Sequence, residues 1–273
     1  MNYRHIYHAG NCADVVKHSV LTLLLESLHK KDTGFSYIDT HAGVGRYDLH
    51  SIEANKTEEY KEGINRVKAF PKSKILERYL SIIEDLNKNN SNLYPGSPWI
   101  AHAMQRPQDQ LILNELHPED CESLKILFWR EKGVSVHHRD AYEFLPALVP
   151  PASRRGLVLI DPPFEKKDEL DQISHVLDKA FLKWPQGIYM LWLPLKENSL
   201  ADFYAHIKKY ECERKFFIEF SWETPADKTN ALQGSAIIIL NLPWKLEESI
   251  TELMQELTQA WKSSHARFVC GYK

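Results

Sequence analysis

Four cysteines are scattered through 273 residues, at Cys12, Cys121, Cys212 and Cys270, and no two form a CxxC pair. That spacing excludes the common zinc sites and a redox dithiol, and it fits a reducing compartment. No apolar run approaches the roughly 18 residues needed to span a bilayer. The opening MNYRHIYHAGN lacks the apolar stretch of a secretory signal. The expectation is a cytoplasmic protein with no membrane partner and no metal. Positive charge is not in excess either. Lys and Arg number 34 against 37 Asp and Glu, a formal net charge of -3, so a nucleic-acid partner could be met only by a local cationic patch. Also missing is the GxGxxG dinucleotide fingerprint, which speaks against an NAD-dependent oxidoreductase. With 43% hydrophobic and 26% charged residues the chain is ordinary globular material, long enough to bury a core without cross-links.

What is present is an alternation of elements. Residues 12–30 read as a helix, with Asn11 as its cap, Asp14 in the first turn and Val16, Val20, Leu23, Leu24 and Leu28 as an apolar stripe. The strand Phe35–Asp39 runs into the turn Thr40-His-Ala-Gly-Val-Gly-Arg46. Between residues 48 and 93 the character changes. TEEYKEGINRVKAF and KSKILERYLSIIEDLNK predict two amphipathic helices separated by Pro71, a helical insertion in a domain made of 1–47 and 94–273. Ser97-Pro98 is then a cap and helix start. Strands at 110–116, 133–138, 156–161 and 187–193 alternate with helices opening at Pro118, Ala141, Asp168 and Ser199. RKFFIEFSW and GSAIIILN have no helix between them and suggest an antiparallel edge before a last helix at 245–261. The pattern predicts an α/β fold with a mostly parallel, seven-stranded sheet and helices on both faces.

In such sheets ligands bind beyond the carboxyl ends of the strands. Asp39, Glu115, Asp140 and Asp161 stand at or just past four consecutive strand ends. Asp161-Pro162-Pro163-Phe164 is the sharpest motif. An adenine N6 amine is a poor nucleophile because its lone pair is delocalised into the ring. Two acceptors facing its N–H groups, the Asp161 carboxylate and the Pro162 carbonyl, would draw it toward a tetrahedral shape. Phe164 offers a flat face for an extruded base, and the remaining task is alignment. Asn241-Leu-Pro-Trp244 is similar but lacks a proline, and reads as a strand-to-helix turn. The Gly43-Val-Gly45 turn is where a nucleoside cofactor would lie against backbone. His41 either contacts it or is a satisfied buried histidine. Glu115 could accept ribose hydroxyls, and Asp140 the amine of the cofactor's adenine, although both also suit helix caps. The stretch from Tyr3 and Arg4 through Lys17 and His18 is rich in cations and aromatics. It is either a solvated arm or one that covers the cofactor and touches RNA. The basic pairs Arg154-Arg155, Lys166-Lys167 and Lys208-Lys209 would add positive charge, two of them bracketing the Asp161 motif.

RHIYHAGNCADVVKH, YIDTHAGVGRYDL, YPGSPWIA, NELHPED, SRRGLVLIDPPFE and NLPWKLE resemble, in order and spacing, the RlmJ-type 23S ribosomal RNA adenine-N6 methyltransferases, from about Tyr3 to Glu247. The resemblance implies a class I, Rossmann-like methyltransferase with a small helical insertion. It further implies S-adenosylmethionine as donor, S-adenosylhomocysteine as product, and a monomer acting on naked or immature 23S RNA at the adenine the family names 2030. Carried over by position, cofactor contacts fall on His18, His41, Ser97, Glu115, Asp140, Ala141 and Asp161. Asp161 is also catalytic with Pro162 and Phe164, and Tyr3 faces RNA, beside Arg4, Lys17 and Phe164. Phe164 replaces a usual tyrosine, Ala141 a common glycine, and Leu242 interrupts the last string. Other substrates for the same tetrapeptide are adenine N6 in DNA and guanine N2 in RNA. A non-catalytic RNA-binding protein is the remaining alternative, opposed by the presence of every proposed acid.

Overall fold

The computed structural model describes residues 4–71, 73–89, 91–195, 200–222, 232–262 and 265–272. After a 3-10 turn at His5–Tyr7 come α1 (Cys12–His29), β1 (Ser36–Asp39), β2 (Arg46–Asp48), α2 (Ile52–Thr57), α3 (Glu59–Glu62), α4 (Ile64–Ala69) and α5 (Lys74–Leu86). Next are β3 (Leu93–Pro95), α6 (Ser97–Ala103), β4 (Gln110–Asn114), α7 (Pro118–Leu127), β5 (Val134–His137), α8 (Ala141–Leu148) and β6 (Gly156–Ile160). The chain continues through α9 (Glu169–Lys183), β7 (Ile188–Leu195), α10 (Ala201–Lys208), β8 (Lys215–Ser221), β9 (Gly234–Leu240), α11 (Leu246–Ala260) and β10 (Arg267–Tyr272).

The main sheet has the order β10-β8-β9-β7-β6-β1-β4-β5. Strands β5, β4, β1, β6 and β7 are mutually parallel. The foreseen antiparallel edge is there, with β9 running against both β7 and β8. One strand more than the expected seven exists, because β10 adds antiparallel to β8. Its side chains are exposed or half-buried along its length, so an edge strand of this kind carries too little apolar alternation to announce itself. By contrast β6 and β9 are buried throughout, in keeping with their near-continuous aliphatic runs.

Helix α1 is capped as its sequence suggests, the Asn11 side chain accepting from the Asp14 amide at 2.9 Å. It is buried on nearly all sides, not on one stripe, because the sheet lies on one face and α5, α6 and α11 cover the others. Ser97 does not cap α6. Gly96 takes that position, and Ser97 is the first helical residue, its hydroxyl turned toward Asp39.

The segment between β2 and β3 departs most from expectation. Those two short strands pair antiparallel, Asp48 opposite Leu93, and bring its ends together. The first expected helix is broken into α3 and α4, and α2 precedes them, capped by Ser51 accepting from Ala54 at 3.1 Å. Breaks fall at Glu58, which is left-handed at φ 53, and at Gly63. Gly63 packs against the turn before α1, where the Ile64 amide donates to the Gly10 carbonyl at 2.9 Å. A Cβ at Gly63 would lie 2.0 Å from that carbonyl oxygen. Tyr60, Ile64, Val67, Leu76, Tyr79 and Ile83 join the same core as Val16 and Leu24 of α1 and Leu253 and Leu257 of α11. A separate miniature core does not form among the described residues.

Gly63→Ala should therefore cost at least about 3 kcal/mol, since backbone must move to admit one methyl group. Urea unfolding measures this, and a loss below about 1 kcal/mol would show that the turn yields freely.

Candidate active site

Parallel pairing of β6, β1, β4 and β5 places Asp161, Asp39, Glu115 and Asp140 at four adjacent strand ends on one edge of the sheet. The glycine turn leaves β1 between them. Gly43 and Gly45 both adopt positive φ, and a Cβ on Gly43 would come within 2.4 Å of the Tyr47 hydroxyl. Only glycine leaves that backbone open to a ligand.

Each acid is held differently. Asp39 is fully buried and accepts from Tyr37 Oη and Ser97 Oγ, both at 2.7 Å, and from the His41 amide at 3.3 Å. Burial raises its carboxyl from 3.8 to about 6, against those hydrogen bonds. Glu115 bridges strand and turn, accepting from the Gly43 amide at 2.8 Å and the His117 amide at 2.7 Å, and burial raises its carboxyl as well. Leu116 beside it is 45% exposed, an apolar side chain just past the end of β4. Asp140 caps α8, accepting from the Tyr142 amide at 2.8 Å, and Ala141 is buried as the first residue of that helix. His41 is hydrogen-bonded to Thr40 Oγ1 at 2.8 Å and stands edge-on to Tyr142 with ring centroids 6.2 Å apart. Burial lowers it to about 4, so it is neutral at physiological pH. His18 is buried in α1 and hydrogen-bonded through Nδ1 to Tyr94 Oη at 2.8 Å. Burial lowers it to about 3.

Asp161 opens the loop after β6, its side chain 17% exposed. The Pro162 carbonyl accepts no hydrogen bond from the described residues. Phe164 is left-handed at φ 52, an uncommon conformation for an aromatic residue and one that gathers at functional sites. Its ring meets Trp192 of β7 edge-on, centroids 5.9 Å apart. Glu169 fastens this loop from behind, accepting from the Lys166 amide at 3.3 Å and from the Tyr142 hydroxyl. Trp192, Leu116, Tyr142 and Glu169 were not singled out from the sequence. Of these only Leu116 carried a signal, as the apolar neighbour of a strand-end acid.

Several expectations about positive charge need correction. Lys17 is not a surface cation for phosphate. It is buried and ion-paired with Asp14 and Asp161, because α1 packs its face against the sheet. Arg4 is engaged by Glu119 at 3.1 Å and Asp120 at 3.0 Å at the start of α7, so the arm is docked across the turn. Tyr3 lies outside the described residues. Arg155 sits before β6, at the far end of the sheet, donating to Thr33 O at 2.6 Å. Lys208-Lys209 are also at that end, where the Lys215 ammonium donates to Lys208 O at 2.9 Å. Only Lys166-Lys167 adjoin the Asp161 motif. Residues 241–244 follow β9, whose Leu240 pairs with Tyr189 at the start of β7, so they too lie away from the site. Among the described residues no group of three or more His, Cys, Asp or Glu could hold a metal, and no helix is long and apolar enough to cross a membrane.

A glycine turn after the first parallel strand, acids at the neighbouring strand ends and an Asp-Pro-Pro-aromatic loop define a class I S-adenosylmethionine-dependent methyltransferase. Comparison with known proteins narrows this. A family model described as ribosomal RNA large subunit methyltransferase D, RlmJ, matches residues 32–269. The chain is 38% identical over 265 residues to ribosomal RNA large subunit methyltransferase J of Haemophilus influenzae, covering 95% of this chain and 93% of that protein. It is 39% identical over 259 residues to the Escherichia coli protein of the same name, covering 93% and 91%. A crystal structure of protein LPL1258 from Legionella pneumophila superposes with a TM-score of 0.88 at 35% identity, over 97% of this chain and 98% of that one. The chain belongs to the RlmJ family of ribosomal RNA large-subunit methyltransferases.

Asp39 yields a pH signature. Between 3.8 and about 6 the folded protein holds a proton that the unfolded chain releases. The stability it contributes is complete below the unfolded value and is lost as pH rises through the folded one. Asp39→Asn cannot ionise, so it should gain on the wild type by up to about 3 kcal/mol from about pH 4 to about pH 7 in urea unfolding. A difference that stays flat over that range would show that Asp39 ionises at its ordinary value.

Proposed function

We propose that this enzyme methylates the exocyclic N6 of a specific adenine in 23S ribosomal RNA, acting as a cytoplasmic monomer on naked or immature large-subunit RNA. The observation that carries the reading is the loop after β6, which brings Asp161, Pro162 and Phe164 in succession to the strand end next to that of β1, from which the glycine turn leaves. The names of the Haemophilus influenzae and Escherichia coli relatives support a large-subunit RNA substrate.

His18, His41, Ser97, Glu115, Asp140, Ala141 and Asp161 would hold the cofactor, Glu115 at the ribose and Asp140 and Ala141 at the adenine. When bound, S-adenosylmethionine supplies a methyl carbon on a positive sulfur that departs as a neutral thioether once N6 attacks. The chain's own residues prepare the nitrogen. Asp161 and the Pro162 carbonyl each accept one N6 hydrogen, which withdraws the lone pair from the ring and directs it toward the methyl group. As the new N–C bond forms, positive charge develops on N6. Asp161 stabilises it and takes the surplus proton, which passes on to solvent. Phe164 and Trp192 form two walls of an aromatic corner in which the base would stack. Tyr3 and Lys166-Lys167 would meet the surrounding RNA, and residues 48–93 would be a helical insertion subdomain.

The decisive experiment is nucleoside mass spectrometry on 23S RNA methylated in vitro by wild type and variants. Asp161→Ala should abolish N6-methyladenine while leaving S-adenosylhomocysteine binding partly intact. Phe164→Tyr should keep activity within a few-fold and Phe164→Ala should lose at least about tenfold, the value of one good stacking contact. Methylation of guanine N2 instead, or turnover undiminished in Asp161→Ala, would refute the assignment.

A further inference from the structure

One buried charge has no task in the chemistry above. The Lys17 ammonium, only 5% exposed as a residue, lies 2.5 Å from Asp161 Oδ2 and 3.0 Å from Asp14 Oδ1. It also stands 5.8 Å from the ring centroid of Trp192. Asp14 is enclosed too, at 1% exposure, and accepts the Gly10 amide at 3.0 Å and His5 Nε2 at 2.8 Å. Two carboxylates thus share one ammonium. Burial alone would lower Lys17, but the two anions outweigh it and raise it above its ordinary value. Burial pushes Asp14 up, and the neighbouring His5 and Lys17 outweigh that and hold it well below the usual carboxylate range.

The adenine reading requires Asp161 to turn its carboxylate to an amine, yet one oxygen of that carboxylate is occupied by Lys17. An ammonium stripped of its partner in this interior would face a large desolvation penalty. Asp14 removes the penalty. It sits three residues earlier on the same helix face, 3.0 Å from the ammonium, and so offers Lys17 a second anion.

We infer that Asp14 is a positioning residue that retains Lys17 when the substrate adenine displaces it from Asp161, so that the catalytic carboxylate is masked in the empty site and released on base entry. Lys17 stays protonated throughout and no proton or bond changes hands in the exchange. The inference rests on the adenine reading proposed above. It differs from a merely structural role for Asp14, because it places the effect of Asp14 entirely on the Lys17–Asp161 contact.

The test is kinetic, on the full chain with 23S RNA and S-adenosylmethionine. Asp14→Asn leaves Lys17 with Asp161 as its sole anion and should lower kcat by about tenfold or more. The affinity for S-adenosylhomocysteine, read by calorimetry, should stay within about threefold. Lys17→Met removes the competing ammonium, so in that background Asp14→Asn should have little further effect, a strong non-additivity. Independent, additive losses, or a kcat for Asp14→Asn equal to wild type, would overturn the inference. Should Asp14→Asn fail to fold, thermal unfolding of two other variants decides. Sharing requires Asp161→Asn to lower Tm by less than about 2 °C, because Lys17 keeps Asp14, and Lys17→Met to lower it several times more. Equal losses in the two would overturn the sharing. Absence of N6-methyladenine from the wild-type reaction would bring down the adenine reading and this inference together. Wild-type turnover with an unaffected Asp14→Asn would remove this inference alone.

Discussion

Parallel pairing of β6, β1, β4 and β5 is the constraint on which the site depends. Strands in a sheet stand about 4.8 Å apart, so four adjacent ends span about 15 Å. That is the length over which a nucleoside and its amino-acid tail must be recognised. One strand reversed within the four would carry its terminal acid to the far edge. The outcome is visible elsewhere in the same sheet. Strand β9 runs the other way, and the Asn241-Leu-Pro-Trp244 turn, chemically close to the Asp161 motif, is delivered to the wrong end.

Gathering acids at the edge of a buried sheet creates an electrostatic problem that each strand end solves in its own way. Asp39 relaxes by moving toward its protonated form, surrounded by hydroxyls. Glu115 is answered by two backbone amides. Asp140 lies at a helix start, where the amides of α8 and the helix dipole favour a carboxylate. Asp161 alone is met by a full positive charge. Of the four, then, the acid placed closest to the chemistry is the one that meets a buried ammonium.

Much of this was legible in the sequence. The parallel strands, with runs such as GLVLI, and the cap at Asn11 follow from local rules that packing does not overturn. The strand-end acids were visible because strand boundaries and acids coincide along the chain. What escaped reading depends on contacts distant in sequence. Lys17 looks like a surface cation beside other cations, and only the packing of α1 against β6 brings it to Asp161, 144 residues away. The break at Gly63 is dictated by the Gly10 carbonyl, which no window around residue 63 contains. Arg154-Arg155 precede β6 and Lys166-Lys167 follow it, so nearness along the chain became separation by the length of a strand. β10 was missed because a half-exposed edge strand has little apolar signature.

The pairing of Asp48 with Leu93 has an implication for how this enzyme could be re-engineered. Because the two chain positions are already neighbours, a short turn could join them and delete everything between without stretching the backbone. Geometry would permit that excision, but solvation would oppose it. The apolar sides of α1 and α11 now covered by Tyr79, Ile83, Ile64 and Val67 would be left facing water. The segment can be cut out as topology and yet not as energy, so a minimal version of the catalyst would need new polar surface on both helices before it could stay in solution.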